Sequence, residues 1–76
     1  MCGYWTFQTR RGIFAIIPEG DRFILKFESE RLGSYWRPEQ AADDAAGGHF
    51  SGPMEAEAAA SSLPDELSDW TFTPSR

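Results

Sequence analysis

Three short runs of β-branched and aromatic residues lie close together at the start of this sequence, separated by two groups of turn residues. The runs span 4–9, 13–17 and 22–28, and the groups between them are Arg10-Arg11-Gly12 and Pro18-Glu19-Gly20. Runs of this composition favour β-strands, and connections this short join antiparallel neighbours. The sequence therefore predicts a three-stranded antiparallel β-meander.

The length of each connection determines which side chains share a face of this sheet. Three-residue loops, each a type I turn closed by glycine, would pair Thr9 with Ile13 and Ile17 with Asp21. Because side chains alternate along a strand, one face is then nearly all apolar and is the expected core. It comprises Trp5, Phe7, Ile13, Ala15, Ile17, Phe23, Leu25 and Phe27. The mixed face comprises Tyr4, Thr6, Gln8, Phe14, Ile16, Arg22, Ile24, Lys26 and Glu28.

An alanine-rich helix is predicted over residues 38–46, because Pro38 suits the first helical position and Gly47-Gly48 favours a stop. Alanines form one stripe of this helix and acidic residues form the opposite stripe. The alanines are Ala41, Ala42, Ala45 and Ala46. We expect this stripe to pack on the sheet, and Gly47 to adopt a left-handed conformation. The predicted fold class is α+β: a three-stranded meander followed by one short helix.

Beyond this core domain, which should span residues 1–50, the composition changes. Residues 51–62 are rich in Gly, Pro, Ala, Glu and Ser and have little apolar content, which predicts a flexible linker. Residues 63–76 contain Leu63, Leu67 and Trp70 at helical spacing and predict a partly ordered tail. We expect this tail to dock on the domain or on a partner, with the mixed sheet face as its most favourable site.

Several spaced motifs together resemble a group of small bacterial proteins of uncharacterised activity. They begin with Trp5-x-Phe7-x-Thr9 and end with Leu63-Pro64-x-x-Leu67-x-x-Trp70, and the most specific block runs from Pro38-Glu39-x-Ala41-Ala42 to Gly47-Gly48-His49. The resemblance covers nearly the whole chain except residues 51–61. It implies the same element boundaries and implies no activity. Members of the group tend to have a small residue before the helix proline, where this sequence has Arg37.

The composition limits the classes of site that the chain can build. A single cysteine, Cys2, excludes an internal disulfide, and His49 is the only histidine, so no zinc-ligand set is present. No apolar run is long enough for a membrane helix, and no secretory signal is recognisable. We expect a cytoplasmic soluble protein with no metal and no cofactor.

The charges are divided unequally between the two halves of the chain. The net charge is −5, but residues 1–37 carry six basic and four acidic groups, whereas residues 38–76 carry one basic and eight acidic groups. This asymmetry indicates either that the acidic half lies against the basic half or that each half meets a different partner. Because polyanion binding normally needs a basic footprint, nucleic acid is an unfavoured partner.

Three functions remain open at this point. The mixed face, with Tyr4, Phe14, Ile16, Arg22, Ile24 and Lys26 as its binding residues, favours a noncatalytic protein-interaction module that binds a protein or a second copy of itself. The same face could stack nucleic-acid bases or a small ligand. An enzyme using Asp44 and His49 is the third alternative, although Asp43 and Asp44 are more simply a solvated helix face. We assign no catalytic residue.

Overall fold

Five strands form one antiparallel sheet within residues 2–50, 52 and 54–75, which the computed structural model describes. The strands are β1 Cys2–Thr9, β2 Gly12–Glu19, β3 Arg22–Phe27, β4 Glu30–Tyr35 and β5 Thr71–Ser75, in the spatial order β4-β3-β2-β1-β5. The predicted α+β class is confirmed, and the meander predicted from the sequence corresponds to β1, β2 and β3. Strands β4 and β5 extend it at both edges.

Two-residue turns connect the first three strands, so the predicted three-residue loops are wrong. Thr9 pairs with Gly12 around Arg10-Arg11, and Glu19 pairs with Arg22 around Gly20-Asp21. In the first turn, the Thr9 hydroxyl accepts hydrogen bonds from the amides of Arg11 and Gly12, both at 3.2 Å. In the second, Gly20 has φ 65°, which glycine adopts without steric cost at the first position of a tight turn.

The shorter turns reverse the faces of β2 and leave those of β1 and β3 as predicted. Phe14 pairs with Phe7 and Phe27, and Ile16 pairs with Trp5 and Leu25. Directly paired residues point to the same face, so Phe14 and Ile16 join the predicted core residues of β1 and β3. The β2 residues that were predicted to be core lie on the other face instead: Ile13, Ala15 and Ile17.

Helix α1, Pro38–Gly47, packs on the sheet through its alanines, as the sequence predicted. Ala41, Ala42 and Ala45 are fully buried in one cluster with Phe14 and Ile16. The helix begins without a side-chain cap, since Arg37 supplies none. It ends one residue later than predicted, and the left-handed residue is Gly48, with φ 73°.

A second helix, α2, spans Met54–Ala60, where the sequence predicted a flexible linker. Its buried residues, Ala56, Ala59 and Ala60, belong to the same core cluster as those of α1. The linker prediction also covers residues 51 and 53, which lie outside the described residues. Neither described helix has the length and apolar content that crossing a membrane requires.

The segment after α2 also packs on the helix-covered side of the sheet. Leu63 and Trp70 are buried in the core cluster, and the Trp70 ring lies 5.9 Å from that of Phe7. The Trp70 indole Nε1 donates a hydrogen bond to the Pro64 carbonyl at 3.2 Å. A short 3-10 turn, Leu67–Asp69, lies between these two residues in the chain. Leu63 and Trp70 therefore lie against the core, and the expectation that the tail covers the mixed face is wrong for its described residues.

The left-handed conformation of Gly48 predicts a position-specific effect of alanine substitution. Gly48→Ala should lower the free energy of unfolding by about 1 kcal/mol, because a Cβ strains a backbone at φ 73°. Gly47→Ala is the matched control, since Gly47 has helical geometry and its Cβ would meet only the movable His49 ring, at 3.1 Å. Chemical denaturation of both variants measures the difference, and an equal loss for the two would contradict the assigned helix end.

Neighbouring isoleucines on opposite faces of β2 test its register. Ile16 is fully buried, whereas Ile17 is 36% exposed. We expect Ile16→Val to lower the free energy of unfolding by about 1 kcal/mol, since a buried methylene is lost, and Ile17→Val to lower it by only a few tenths. Urea unfolding of the two variants provides the comparison. The reverse order of effects would show that β2 has the opposite orientation.

Candidate functional site

The face of the sheet opposite the helices, here called the open face, is a surface on which no described helix packs. Its members come from all five strands: Tyr4, Thr6, Gln8, Ile13, Ala15, Ile17, Glu19, Arg22, Ile24, Lys26, Arg31, Ser34, Thr71 and Thr73. The core cluster, which holds the buried alanines of both helices, contains none of these residues. The open face is therefore structurally separate from the core.

Apolar side chains form the centre of the open face. Ile17 pairs directly with Ile24, and the same register sets Tyr4 across from Ile17. Ile13 is 40% exposed and Ile17 is 36% exposed, whereas Ile24 is almost completely buried. Because β-branched side chains normally gain stability from burial, two exposed isoleucines on one face form an apolar patch that a partner could cover.

An ion pair spans the sheet above Ile24. The Arg31 guanidinium on β4 lies 2.9 Å from Glu19 Oε1 on β2. These strands are separated by β3, so the two side chains must reach across that strand to meet. Both are about 60% exposed, at 59% and 61%. At such exposure the pair adds little stability, on the order of 1 kcal/mol or less, and it remains accessible to other charged groups.

A shallow depression of about 300 Å³ lies beside this ion pair. Its lining residues are Ile17, Glu19, Ile24, Lys26, Ser29 and Arg31. The two isoleucines provide an apolar floor, and the charged side chains and the Ser29 hydroxyl provide polar walls. A volume near 300 Å³ is at the lower end of the range for ligand pockets and can take one or two side chains of a partner.

Arg22 occupies the adjacent corner of the open face. Its guanidinium carbon lies 4.1 Å from the centre of the Trp36 ring, a cation–π arrangement, and its Nη2 donates a hydrogen bond to the Ser34 hydroxyl at 3.2 Å. The Nε atom is buried and has no hydrogen-bond partner among the described residues. Trp36 is 60% exposed, so this corner offers a flat aromatic surface with a positive charge behind it.

The structure separates the six binding residues predicted from the sequence into two groups. Tyr4, Arg22, Ile24 and Lys26 lie together on the open face. Phe14 and Ile16 are fully buried on the helix-covered side and cannot contribute to that surface.

The open-face residues that the sequence prediction missed include Ile13, Ile17, Glu19 and Arg31. Gly20 was the available signal for the first three, since glycine favours the first position of a two-residue turn, which reverses β2. The Glu19–Arg31 contact depends on the pairing of β4 with β3, and no local pattern predicts it.

Asp44 and His49, the residues of the enzyme alternative, have structural contacts. The Asp44 carboxylate approaches the Tyr35 hydroxyl, and the Asp44 carbonyl accepts a hydrogen bond from the His49 amide at 2.9 Å as part of the helix end. Burial raises the pKa of Tyr35 above its ordinary value of 10.0, and the negative charge and hydrogen bonding of Asp44 raise it further. Within the described residues, no three His, Cys, Asp or Glu side chains are grouped to hold a metal ion.

Comparison of the chain with known proteins finds no matching family model, no matching curated protein and no matching solved structure. We therefore infer function from the geometry and charge of the open face.

The Tyr35–Asp44 contact predicts a pH dependence. The fold favours the protonated Tyr35 hydroxyl, so its contribution to stability is present below pH 10.0 and is lost as the pH rises through the raised pKa. In a Tyr4→Phe background, ultraviolet titration should show Tyr35 ionising above pH 10.0, and Asp44→Asn should lower that midpoint. Asp43→Asn, which changes the exposed neighbouring carboxylate, is the control. Equal effects of the two substitutions would contradict a specific contact.

Proposed function

We propose that this protein is a noncatalytic protein-interaction module that binds its partner through the open face. The observation that supports this proposal is the apolar patch of Ile13 and Ile17, exposed on a sheet face over which the described residues place no helix. Contiguous exposed apolar surface with a polar rim is typical of protein-binding sites. A cytoplasmic location, favoured by the single cysteine, belongs to the same proposal.

The packing of the molecule also supports binding on this side. The helices and the tail contribute their buried side chains to the core cluster, which lies on the opposite side of the sheet. The open face can therefore be covered without any rearrangement of the core. A rigid, preformed sheet surface lowers the entropy cost of association, which favours binding of a partner to it.

The two other functions have less support. Of the two strand aromatics on the predicted mixed face, Tyr4 and Phe14, only Tyr4 is available for base stacking, because Phe14 lies in the core. Catalysis by Asp44 and His49 would require a carboxylate that already approaches Tyr35. That carboxylate belongs to α1, which packs on the side of the sheet opposite the depression. Neither alternative accounts for the exposed isoleucines.

A peptide-display selection tests the proposed function. The full chain should enrich specific sequences from a random peptide library, and Ile17→Glu should weaken their binding by about tenfold or more, because it places a charge in the apolar patch. Met54→Glu is the matched control, since Met54 is 85% exposed and lies on α2. Fluorescence anisotropy gives the affinities, and thermal melts show whether both variants remain folded.

Two results would contradict the proposal: the absence of any enriched sequence from a chain that is also monomeric, or equal binding by Ile17→Glu and the parent chain. Sedimentation velocity of the unmodified chain provides a separate test for self-association. A dimer that Ile17→Glu dissociates and Met54→Glu does not would identify a second copy as the partner.

A further inference from the structure

The basic side chains of the strands and the acidic side chains of the helices lie on opposite sides of the sheet. The strands contribute three basic groups and one acidic group to the open face: Arg22, Lys26, Arg31 and Glu19. The two helices contribute acidic groups only: Glu39, Asp43, Asp44, Glu55 and Glu57. The chain is acidic overall, with a net charge of −5, yet its open face is basic.

The described residues form two ion pairs, and neither joins the open face to the helices. One is Glu19–Arg31, within the open face, and the other is the long Arg37–Glu39 contact of 3.9 Å at the start of α1. The acidic half of the chain therefore does not neutralise the basic surface. Among the described residues, Lys26 has no ion-pair partner.

The Glu19–Arg31 pair shows how the open face holds a carboxylate. Glu19 presents one oxygen to Arg31, and both side chains line the depression together with its two isoleucines. Lys26 lines the same depression, so a second carboxylate would meet an ammonium group next to the guanidinium. Charge-assisted hydrogen bonds of this kind are stronger than neutral ones, and they provide selectivity for acidic groups.

The size of the open face favours a small occupant. Five strands about 4.8 Å apart, with about six residues at 3.3 Å each, give a surface of roughly 24 by 20 Å, or about 500 Å². A standard protein interface buries about 800 Å² on each partner. Two open faces packed against each other would also bring two basic surfaces together, which costs electrostatic energy. Both considerations disfavour a symmetric dimer through this face.

We propose, as a refinement that rests on the proposed function, that the open face binds an acidic segment of a partner protein. A carboxylate of the segment occupies the depression beside Lys26 and Arg31, and a neighbouring apolar side chain covers Ile17. In this arrangement Glu19 is an internal competitor, because it occupies Arg31 when no partner is bound. Removing its charge should therefore strengthen binding, an effect that a purely structural role for Glu19 does not produce.

The peptides enriched by the full chain provide the probe. We expect them to carry more Asp and Glu than Lys and Arg, and to bind more weakly as salt is raised. Lys26→Gln should weaken the most enriched peptide by about tenfold, and Glu19→Gln should strengthen it by about threefold or more. Arg10→Gln, which removes the same charge at the β1–β2 turn, is the control and should change the affinity by less than about twofold. Arg31→Gln replaces Lys26→Gln if thermal melting shows that the latter variant is unfolded.

Enrichment of neutral or basic peptides would overturn this refinement, as would equal effects of Lys26→Gln and Arg10→Gln or weaker binding by Glu19→Gln. In each of these cases Ile17→Glu would still weaken binding by about tenfold or more if the proposed function holds. A dimer that depends on Ile17 would also overturn the refinement while supporting the proposed function. If no peptide is enriched and no dimer forms, both proposals fail.

Discussion

The pairing register of β2 is the constraint on which the rest of the molecule depends. This strand lies at the centre of the sheet, so its register with β1 and β3 determines what each face presents. With two-residue turns on both sides, Phe14 and Ile16 meet the helices, and Ile13 and Ile17 lie on the open face. A shift of one residue would exchange these sets completely, because side chains alternate with a period of two. The Thr9 hydroxyl and Gly20 therefore help to determine the core and the open face together.

Small side chains in the helices and large side chains in the sheet form complementary halves of one core. The alanines of α1 and α2 let both helices approach the sheet closely, and Phe14, Ile16 and Leu25 fill the space between them. The chain has no disulfide to supplement this packing, since it has a single cysteine. The burial that stabilises so small a domain is thus concentrated on one side of the sheet. The other side is free to combine exposed isoleucines with basic groups at modest cost to stability.

The sequence predicts part of the candidate site, but it does not decide between alternative lengths of the β1–β2 loop. The alternation of β1 and β3 correctly places Tyr4, Arg22, Ile24 and Lys26 on one face, because their strands begin and end at recognisable turns. The β2 residues were assigned to the wrong faces because Arg10-Arg11-Gly12 can form a loop of two or three residues. Only the contact of Thr9 with the turn amides favours the shorter loop.

The sequence by itself determined the antiparallel hairpins, the alanine stripe of α1 and its stop at the paired glycines. These features depend on residues within a few positions of one another, whose turn chemistry, propensity and periodicity can be read directly. Tertiary structure alone decided the pairing of β5 with β1, the packing of α2 and the ion pair between Glu19 and Arg31. The residues of α2 have too little apolar content to indicate a buried segment, and Thr71–Ser75 joins a strand nearly seventy residues earlier in the chain. Such contacts form only after the sheet provides a surface to pack against, because the entropy cost of joining distant segments must be offset by burial.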